Sequence, residues 1–474
     1  MADSSEVLDH TTPPGIAAYA AYLPAYVLDD NRLDPDGPAR PGRSRSVAAY
    51  DEDPVTMAVE AARGLDREPA ADGHLFLATT LAPYDAKTSA TVVHEALGLA
   101  PGIGSIDLRG HRAGATVVDL ACRTRSVGAA ADVRTTRSGA PDELAQGDAA
   151  VAFVGGDPRA AAPLVRATRT VEMLERWRLP GEVHDRIWDE RFTAELLVGA
   201  ATEAVAEALT AAQVDAVDAV DVVVVSSSNA RAATALRKRL GGNGADATVE
   251  AQTGFTGAAH PGLLLADALD RAEPGQLLLL VSATDGADVT LFRVGDGVRE
   301  ARGAATVADQ LARRQRIGYG RFLRWRGLLD VQGPARPASA APAAPPMHRR
   351  RSWKYRLEGV RCDACGSVTT PPGPACASCG SLDGGKPVSL RDREARVVSV
   401  TQDRLTTMPE AEVALVVADV DGGGRLTAYA TDVVAADVAV GHRMRPTFRR
   451  LWTTDAIHNY FWKLRPWEED TDGE

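Results

Sequence analysis

The 474-residue chain is 45% hydrophobic and 25% charged with a net charge of −11, the balance of a folded globular protein long enough for two or three domains. So acidic a chain argues against a nucleic-acid binder, whose footprint is basic. No apolar run approaches the roughly 18 residues of a membrane span, and the polar, acidic start lacks the basic and apolar regions of a secretory signal, so a cytoplasmic protein without membrane partners is expected.

Residues 1–13 read as a disordered lead. A strand over 15–23 (GIAAYAAYL) ends at Pro24, and a Pro/Gly/Arg/Asp-rich loop covers 29–45. Asp53 and Pro54 have the types of an N-cap and first helical residue, opening a helix rich in Val, Met and Ala. Strands over 74–80, 106–108 and 149–154 alternate with helices over 89–97 and 113–123. Residues 172–188, richer in Arg, Glu and Trp, read as an insertion or cap. Helices over 192–212, 230–240 and 261–272 then alternate with strands over 220–225, 277–282 and 289–294. This alternation of strands and helices, with near-continuously apolar strands, predicts α/β layers. A faint repeat supports a duplicated half: Leu97-Gly98 matches Leu240-Gly241, and Ala113-Gly114-Ala115 matches Thr256-Gly257-Ala258, both at an offset of 143.

Residues 334–346 (PARPASAAPAAPP) form a linker that cannot build a core, followed by the basic cluster Arg349-Arg350-Arg351, read as a solvated patch or a phosphate contact. Four of the five cysteines fall in two CxxC knuckles, Cys362/Cys365 and Cys376/Cys379, a spacing that can place four thiolates around one Zn²⁺. Two disulfides are the other use of such a set, disfavoured without an oxidising compartment. With four protein ligands the zinc has no open position, so it is structural. Short strands over 395–401, 414–420 and 426–429, with a turn at Gly422-Gly423-Gly424, predict a small β-barrel.

Asp51-Glu52-Asp53-Pro54-Val55-Thr56-Met57-Ala58-Val59-Glu60-Ala61-Ala62, Ala78-Thr79-Thr80, Gln146-Gly147-Asp148-Ala149-Ala150 and Thr256-Gly257-Ala258-Ala259 occur in an order that resembles hydroxymethylglutaryl-CoA synthase-like proteins of the thiolase superfamily. The resemblance covers about residues 14–333 and implies a duplicated, five-layered α/β fold that dimerises. Residues 353–467 resemble the zinc-ribbon and OB-fold proteins associated with acyl-CoA condensing enzymes, through the knuckles, Met408-Pro409, Gly441-His442-Arg443-Met444, Phe448-Arg449-Arg450 and Tyr460-Phe461-Trp462-Lys463-Leu464-Arg465-Pro466. The implied organisation is 1–13 lead, 14–333 thiolase-like domain, 334–347 linker, 348–390 zinc ribbon with a preceding helix, and 391–474 OB-fold domain. The implied cofactors are structural Zn²⁺ and a coenzyme A thioester as substrate or ligand. A homodimer through the thiolase-like domain and a thiolase partner are also implied.

Active members of that superfamily use a cysteine at a helix N-terminus, where the dipole lowers its pKa, together with a histidine and an asparagine. Matched onto this chain, the resemblance places the cysteine position at His111, the histidine position at Ser226 and the asparagine position at Phe255; all three are substituted. Cys122, eleven residues after His111, lies about three helical turns away and reads as a small buried hydrophobe. His260 reads as structural. Tyr84, Asp85 and Lys87 follow a strand end near where the family carries an acid. Two functions fit: a catalytically silent acyl-CoA-binding partner of an active thiolase, or an enzyme working without a covalent cysteine through His111 with Asp85 or Tyr84.

Overall fold

In the computed structural model, residues 14–30, 43–140, 142–242, 244–332, 337, 339–410 and 412–467 are described; the expected lead over 1–13 lies outside them. The chain opens with β1 (Gly15–Tyr22), β2 (Tyr26–Leu28), β3 (Arg45–Val47), α1 (Pro54–Arg63), β4 (His74–Thr79) and α2 (Ala90–Leu97). It continues through β5 (Gly104–Arg109), α3 (Ala113–Arg123), β6 (Val127–Asp132) and β7 (Ala149–Gly156). A second run follows with β8 (Ala161–Thr170), β9 (Arg176–Trp177), β10 (Arg186–Ile187), α4 (Glu190–Ala211), β11 (Val222–Ser227) and α5 (Ala230–Leu240). Next come α6 (Ala245–Thr253), α7 (His260–Arg271), β12 (Leu277–Ala283), β13 (Gly286–Val294), α8 (Val307–Ala312), β14 (Gln315–Arg316) and α9 (Tyr319–Trp325). The C-terminal part holds α10 (Ala344–Arg349), α11 (Arg351–Arg356), β15 (Glu358–Cys362), β16 (Val368–Thr369) and β17 (Gly385–Ser389). It ends with β18 (Ala395–Asp403), β19 (Val413–Val420), β20 (Arg425–Tyr429), β21 (Arg443–Thr454) and β22 (Ile457–Pro466).

Nine strands form one mixed sheet in the order β11-β12-β13-β8-β1-β7-β6-β4-β5. The two halves are copies. From β1 outward the pairing runs antiparallel to β7, antiparallel to β6 and parallel to β4; from β8 it runs antiparallel to β13, antiparallel to β12 and parallel to β11. They join where Ile16 pairs with Ala161. Helices repeat too, for α2 and α5 both stop at a left-handed glycine, Gly98 at φ 65° and Gly241 at φ 69°. One core buries α3 and α7 with residues from both halves, among them Val117, Phe153, Leu264 and Leu280; a second buries α4 and α5 against the second half. The layering is the duplicated α/β arrangement that the repeat suggested, and it is that of the thiolase-like fold implied by the resemblance.

Helix α1 starts as its sequence dictates. Asp53 Oδ1 accepts the Val55 and Thr56 amides, Thr56 Oγ1 accepts the Asp53 amide, and Pro54 fills the first position. Two strands of the nine-stranded sheet were not foreseen. β6 (VGAAAD) is fully buried but nearly all small residues, and β8 carries half-buried Arg166 and Arg169 in its second half, with Leu164, Thr168 and Thr170 exposed. The Pro/Ala linker also gives way earlier than its composition suggested, since α10 already begins at Ala344.

The C-terminal strands close into a five-stranded barrel. β20-β19-β18-β21-β22 are neighbours, and an Ala430–Leu464 bridge returns β22 to the end of β20. The barrel shares a core with α1 and α2, where Phe448, Tyr460, Trp462 and Leu464 join Val55, Val59 and Val93. Charge reinforces the seam. Fully buried Arg449 lies 3.2 Å from Glu52, 2.8 Å from Asp432 and 3.7 Å from Asp51, while Lys463 Nζ lies 2.7 Å from Asp51. Tyr460 donates to Asp53 at 2.8 Å, and the Arg450 amide to the Asp51 carbonyl at 2.9 Å. The acidic run ahead of α1 therefore clamps the barrel. No helix among the described residues is long and apolar enough to cross a membrane.

Candidate functional site

Strand ends and helix starts converge at the N-terminus of α3. Asp132, the last residue of β6, accepts the Thr79 hydroxyl at 2.9 Å and the Thr80 amide at 2.8 Å through Oδ1, and the Ala258 amide at 2.7 Å through Oδ2. It thus ties the end of β4 to the turn that opens α7. That turn passes close to α3: a Cβ on Gly114 would sit 1.9 Å from the Ala258 carbonyl oxygen, so only glycine fits. Phe255 is pinned by its amide to Ala145 O at 2.8 Å and by its carbonyl to the Gly147 amide at 3.0 Å.

The structure brings His111 and Phe255 together, with ring centroids 5.6 Å apart, and places the His260 ring 4.8 Å from Phe255. His260 is fully buried, its Nδ1 3.3 Å from Thr256 Oγ1 and its Nε2 3.8 Å from Glu250. Ser226 is buried at the end of β11, opposite Ser282 of β12. Its neighbours are structural: Ser227 donates to Ala283 O, and Asn229 caps α5. Asp85 is exposed, with its carbonyl accepting Arg109. The Tyr84 hydroxyl accepts the His458 amide of the barrel at 2.8 Å, and Lys87 Nζ bonds Thr88 O and Thr91 Oγ1.

The carboxylate beside His111 is Asp185, which the sequence reading did not single out. It comes from the β9–β10 hairpin, within the Arg-rich stretch read as an insertion or cap. Asp185 Oδ2 lies 3.9 Å from His111 Nε2, pairs with Arg134, and lies 3.4 Å from Arg176; Oδ1 is 3.4 Å from Arg178. Three guanidinium groups and an imidazole thus surround one largely buried carboxylate. Glu175 fastens the same hairpin through Ser228 Oγ at 2.9 Å, and Arg178 bonds Thr80 O. Arg176-x-Arg178 with Asp185, in a segment otherwise unlike its Ala-rich surroundings, is the signal that could have found this lock.

Burial, reinforced by the Arg134 charge, drives the His111 pKa well below its usual value, so the imidazole is neutral. The helix N-terminus acts in the same sense, disfavouring a cation. Burial alone would raise the Asp185 carboxyl, but Arg134, with help from Arg178 and Arg176, holds it below the usual range and ionised. His111 Nδ1 is buried and has no hydrogen-bond partner among the described residues. Chemically, the site holds a neutral imidazole and a clamped carboxylate but no thiol. Cys122 sits in the last turn of α3, at the opposite end from His111, and burial pushes its thiol up to about 12.

The cysteine knuckles form a second centre. All four Sγ atoms lie within 4.8 Å of one another, with Cys362–Cys379 at 3.8 Å and Cys365–Cys376 at 3.6 Å. A tetrahedron with Zn–S bonds of about 2.3 Å has S···S edges of about 3.8 Å, so the set fits zinc. The two knuckles match. Cys362 and Cys376 carbonyls accept the Gly366 and Gly380 amides, each at 2.9 Å, and those glycines adopt φ of 73° and 72°. Ser367 Oγ contacts the sulfurs of both Cys365 and Cys376.

Comparisons with known proteins agree with this anatomy. Residues 354–383 match the family model described as the ChsH2 rubredoxin-like zinc ribbon domain. The hydroxymethylglutaryl-CoA synthase of Aeropyrum pernix is 27% identical over 358 residues, covering 67% of this chain and 95% of that protein; its counterpart from Methanothermobacter thermautotrophicus is 27% identical over 350 residues, covering 67% and 99%. A solved HMG-CoA synthase complexed with CoA superposes with a TM-score of 0.57 at 18% identity, covering 66% of this chain and 90% of that one. MvaS in complex with 3-hydroxy-3-methylglutaryl coenzyme A gives 0.55 at 20%, covering 70% and 94%. The chain is thus similar to hydroxymethylglutaryl-CoA synthases in sequence and has their fold, joined to a zinc ribbon.

Proposed function

We propose that this chain binds acyl-CoA thioesters without forming an acyl-enzyme, and serves as a structural or acyl-CoA-handing partner of an active thiolase. The observation that carries this reading is the neutral imidazole of His111 at the helix start where the resembling enzymes carry a cysteine, with Asp185 and three arginines locked over it. Phe255 at the asparagine position supplies no donor to an oxyanion. Loss of one member of a cooperating set already removes most of its effect, and here all three are replaced. The solved neighbours complexed with CoA and with 3-hydroxy-3-methylglutaryl coenzyme A support a coenzyme A thioester as ligand.

Further parts of the reading rest on topology. The barrel closes as β18-β19-β20-β22-β21, the strand order of an OB-fold, and β5 lies at the sheet edge with Ile106 exposed, a surface suited to a homodimer. Four protein thiolates leave zinc no open position, which makes it structural.

A second reading is favoured by the unpartnered Nδ1 of His111, a neutral base available for a retro-aldol or aldol step with Asp185 beside it. Assay of the purified chain with acetyl-CoA and acetoacetyl-CoA, alone and with a copurifying thiolase, separates the two. The partner reading predicts no turnover alone and stimulation of the thiolase. Turnover by the chain alone, abolished in His111→Ala with unchanged circular dichroism, would instead establish the second.

A further inference from the structure

We propose that Arg349, Arg350, Arg351 and Lys354, on α10, α11 and the turn between them, bind the phosphates of the coenzyme A nucleotide. This rests on the acyl-CoA reading above and locates the part of the thioester farthest from its sulfur.

The charge distribution is the first observation. In a chain of net charge −11, residues 348–356 (HRRRSWKYR) hold five arginines and lysines and no acid. The three consecutive arginines are exposed, and among the described residues none of them pairs with a carboxylate; Arg351 contacts only the His348 ring, at 3.3 Å. Nearby arginines behave differently: Arg356 pairs with Glu95, Arg391 with Asp392 and Arg443 with Glu394. A triplet left uncompensated where neighbours are neutralised is a site for a mobile anion.

The second observation is Lys354. It is half-buried between α11 and the barrel, its ammonium bonded to the neutral Asn459 amide oxygen and 5.7 Å from the Tyr355 ring. Burial brings its pKa down to about 8. A desolvated ammonium that faces no carboxylate among the described residues gains more from a bound phosphate than an exposed one does.

Position supplies the third. Asn459 is next to His458, whose amide donates to the Tyr84 hydroxyl at 2.8 Å and whose Nε2 lies 3.2 Å from Pro83 O. The Tyr84 carbonyl accepts Arg109 at 2.9 Å, and Arg109 ends β5 two residues before His111. One hairpin turn and one loop therefore separate the cationic patch from the α3 N-terminus. An extended pantetheine arm would cross that seam, with the nucleotide on the helices and the thioester toward His111.

Calorimetric titration of the full chain with CoA, dephospho-CoA and pantetheine tests this, alongside the variants R349Q/R350Q/R351Q and R349K/R350K/R351K. The site predicts that the glutamine variant binds CoA at least about tenfold more weakly. It also predicts that the lysine variant keeps most of the affinity, that dephospho-CoA binds wild type more weakly than CoA, and that added salt weakens CoA binding to wild type more than to the glutamine variant. Equal CoA affinity in wild type and the glutamine variant overturns the site while leaving the acyl-CoA reading intact. A wild type that binds neither CoA nor acetyl-CoA overturns both. Tighter binding of a short DNA duplex than of CoA, abolished in the glutamine variant, overturns the assignment of the patch to a nucleotide cofactor.

Discussion

Replacing Arg449 with methionine removes a guanidinium that is fully buried between the barrel and α1. It touches Glu52, Asp432, Asp51 and the Tyr22 hydroxyl, the last at 3.2 Å. Lys463 would still face Asp51 and Arg465 would still face Asp432, at 2.7 and 3.4 Å, so Glu52 is the carboxylate left most exposed to the loss. Breaking a buried pair from one side costs about 3–5 kcal/mol. Burial already raises the Glu52 carboxyl to about 7 against the pull of Arg449. In wild type the folded state holds that proton between the unfolded value near 4.5 and about 7, so the Glu52 contribution declines as pH rises through this window and is flat above it. Without Arg449 the carboxyl rises further and the decline continues above pH 7, each additional unit adding about 1.4 kcal/mol. Urea unfolding followed by tryptophan fluorescence should therefore show R449M losing about 3–5 kcal/mol at about pH 8.5 and distinctly less at about pH 6. A loss under about 1 kcal/mol at both values would refute the view that this cluster clamps the barrel.

Other outcomes follow from the same contacts. One zinc per chain should be found by elemental analysis, and Cys376→Ser should lose it and lower the melting temperature; full retention of metal would contradict the tetrathiolate site. Gly114→Ala forces a methyl into the Ala258 carbonyl and should cost about 3 kcal/mol in chemical denaturation, whereas an unchanged midpoint would mean that α3 and α7 are free to separate. His111 stays neutral when folded while its unfolded form protonates near pH 6.5, so wild type loses stability as pH falls below that value. His111→Phe should flatten this acid limb of the melting curve; an unaltered limb would show that His111 titrates freely.

Local chemistry was legible and remote chemistry was not. The knuckles, the Asp53-Pro54 helix start and the paired Leu-Gly helix ends all encode their geometry within a few residues, and the chain order of strands and helices carried the duplicated layers. β6 escaped because three alanines and a glycine carry no periodic signal, and β8 because Arg166 and Arg169 break its apolar run, although they face Asp119 and the Glu203/Glu207 pair on α4. At the site, residue types at His111 and Phe255 announced what was missing. Of what replaced it, Arg176 and Arg178 lie within ten residues of Asp185 and were open to a local reading, but the meeting of Asp185 with Arg134 and His111 depends on a hairpin folding back across about 50 to 75 residues of chain, which no spacing rule reports. The acidic run at Asp51–Asp53 likewise reads as a family motif until Arg449, Tyr460 and Lys463 are seen against it.

The central claim is that this chain holds an acyl-CoA thioester without taking the acyl group. Mass spectrometry of the same incubation with acetyl-CoA, recorded first under native and then under denaturing conditions, tests it most directly. The account predicts a zinc-loaded protein carrying acetyl-CoA in the native spectrum and an unmodified chain mass after denaturation. A stable acetyl adduct on Cys122 would contradict it, because that thiol would then be a nucleophile despite its burial at the far end of α3.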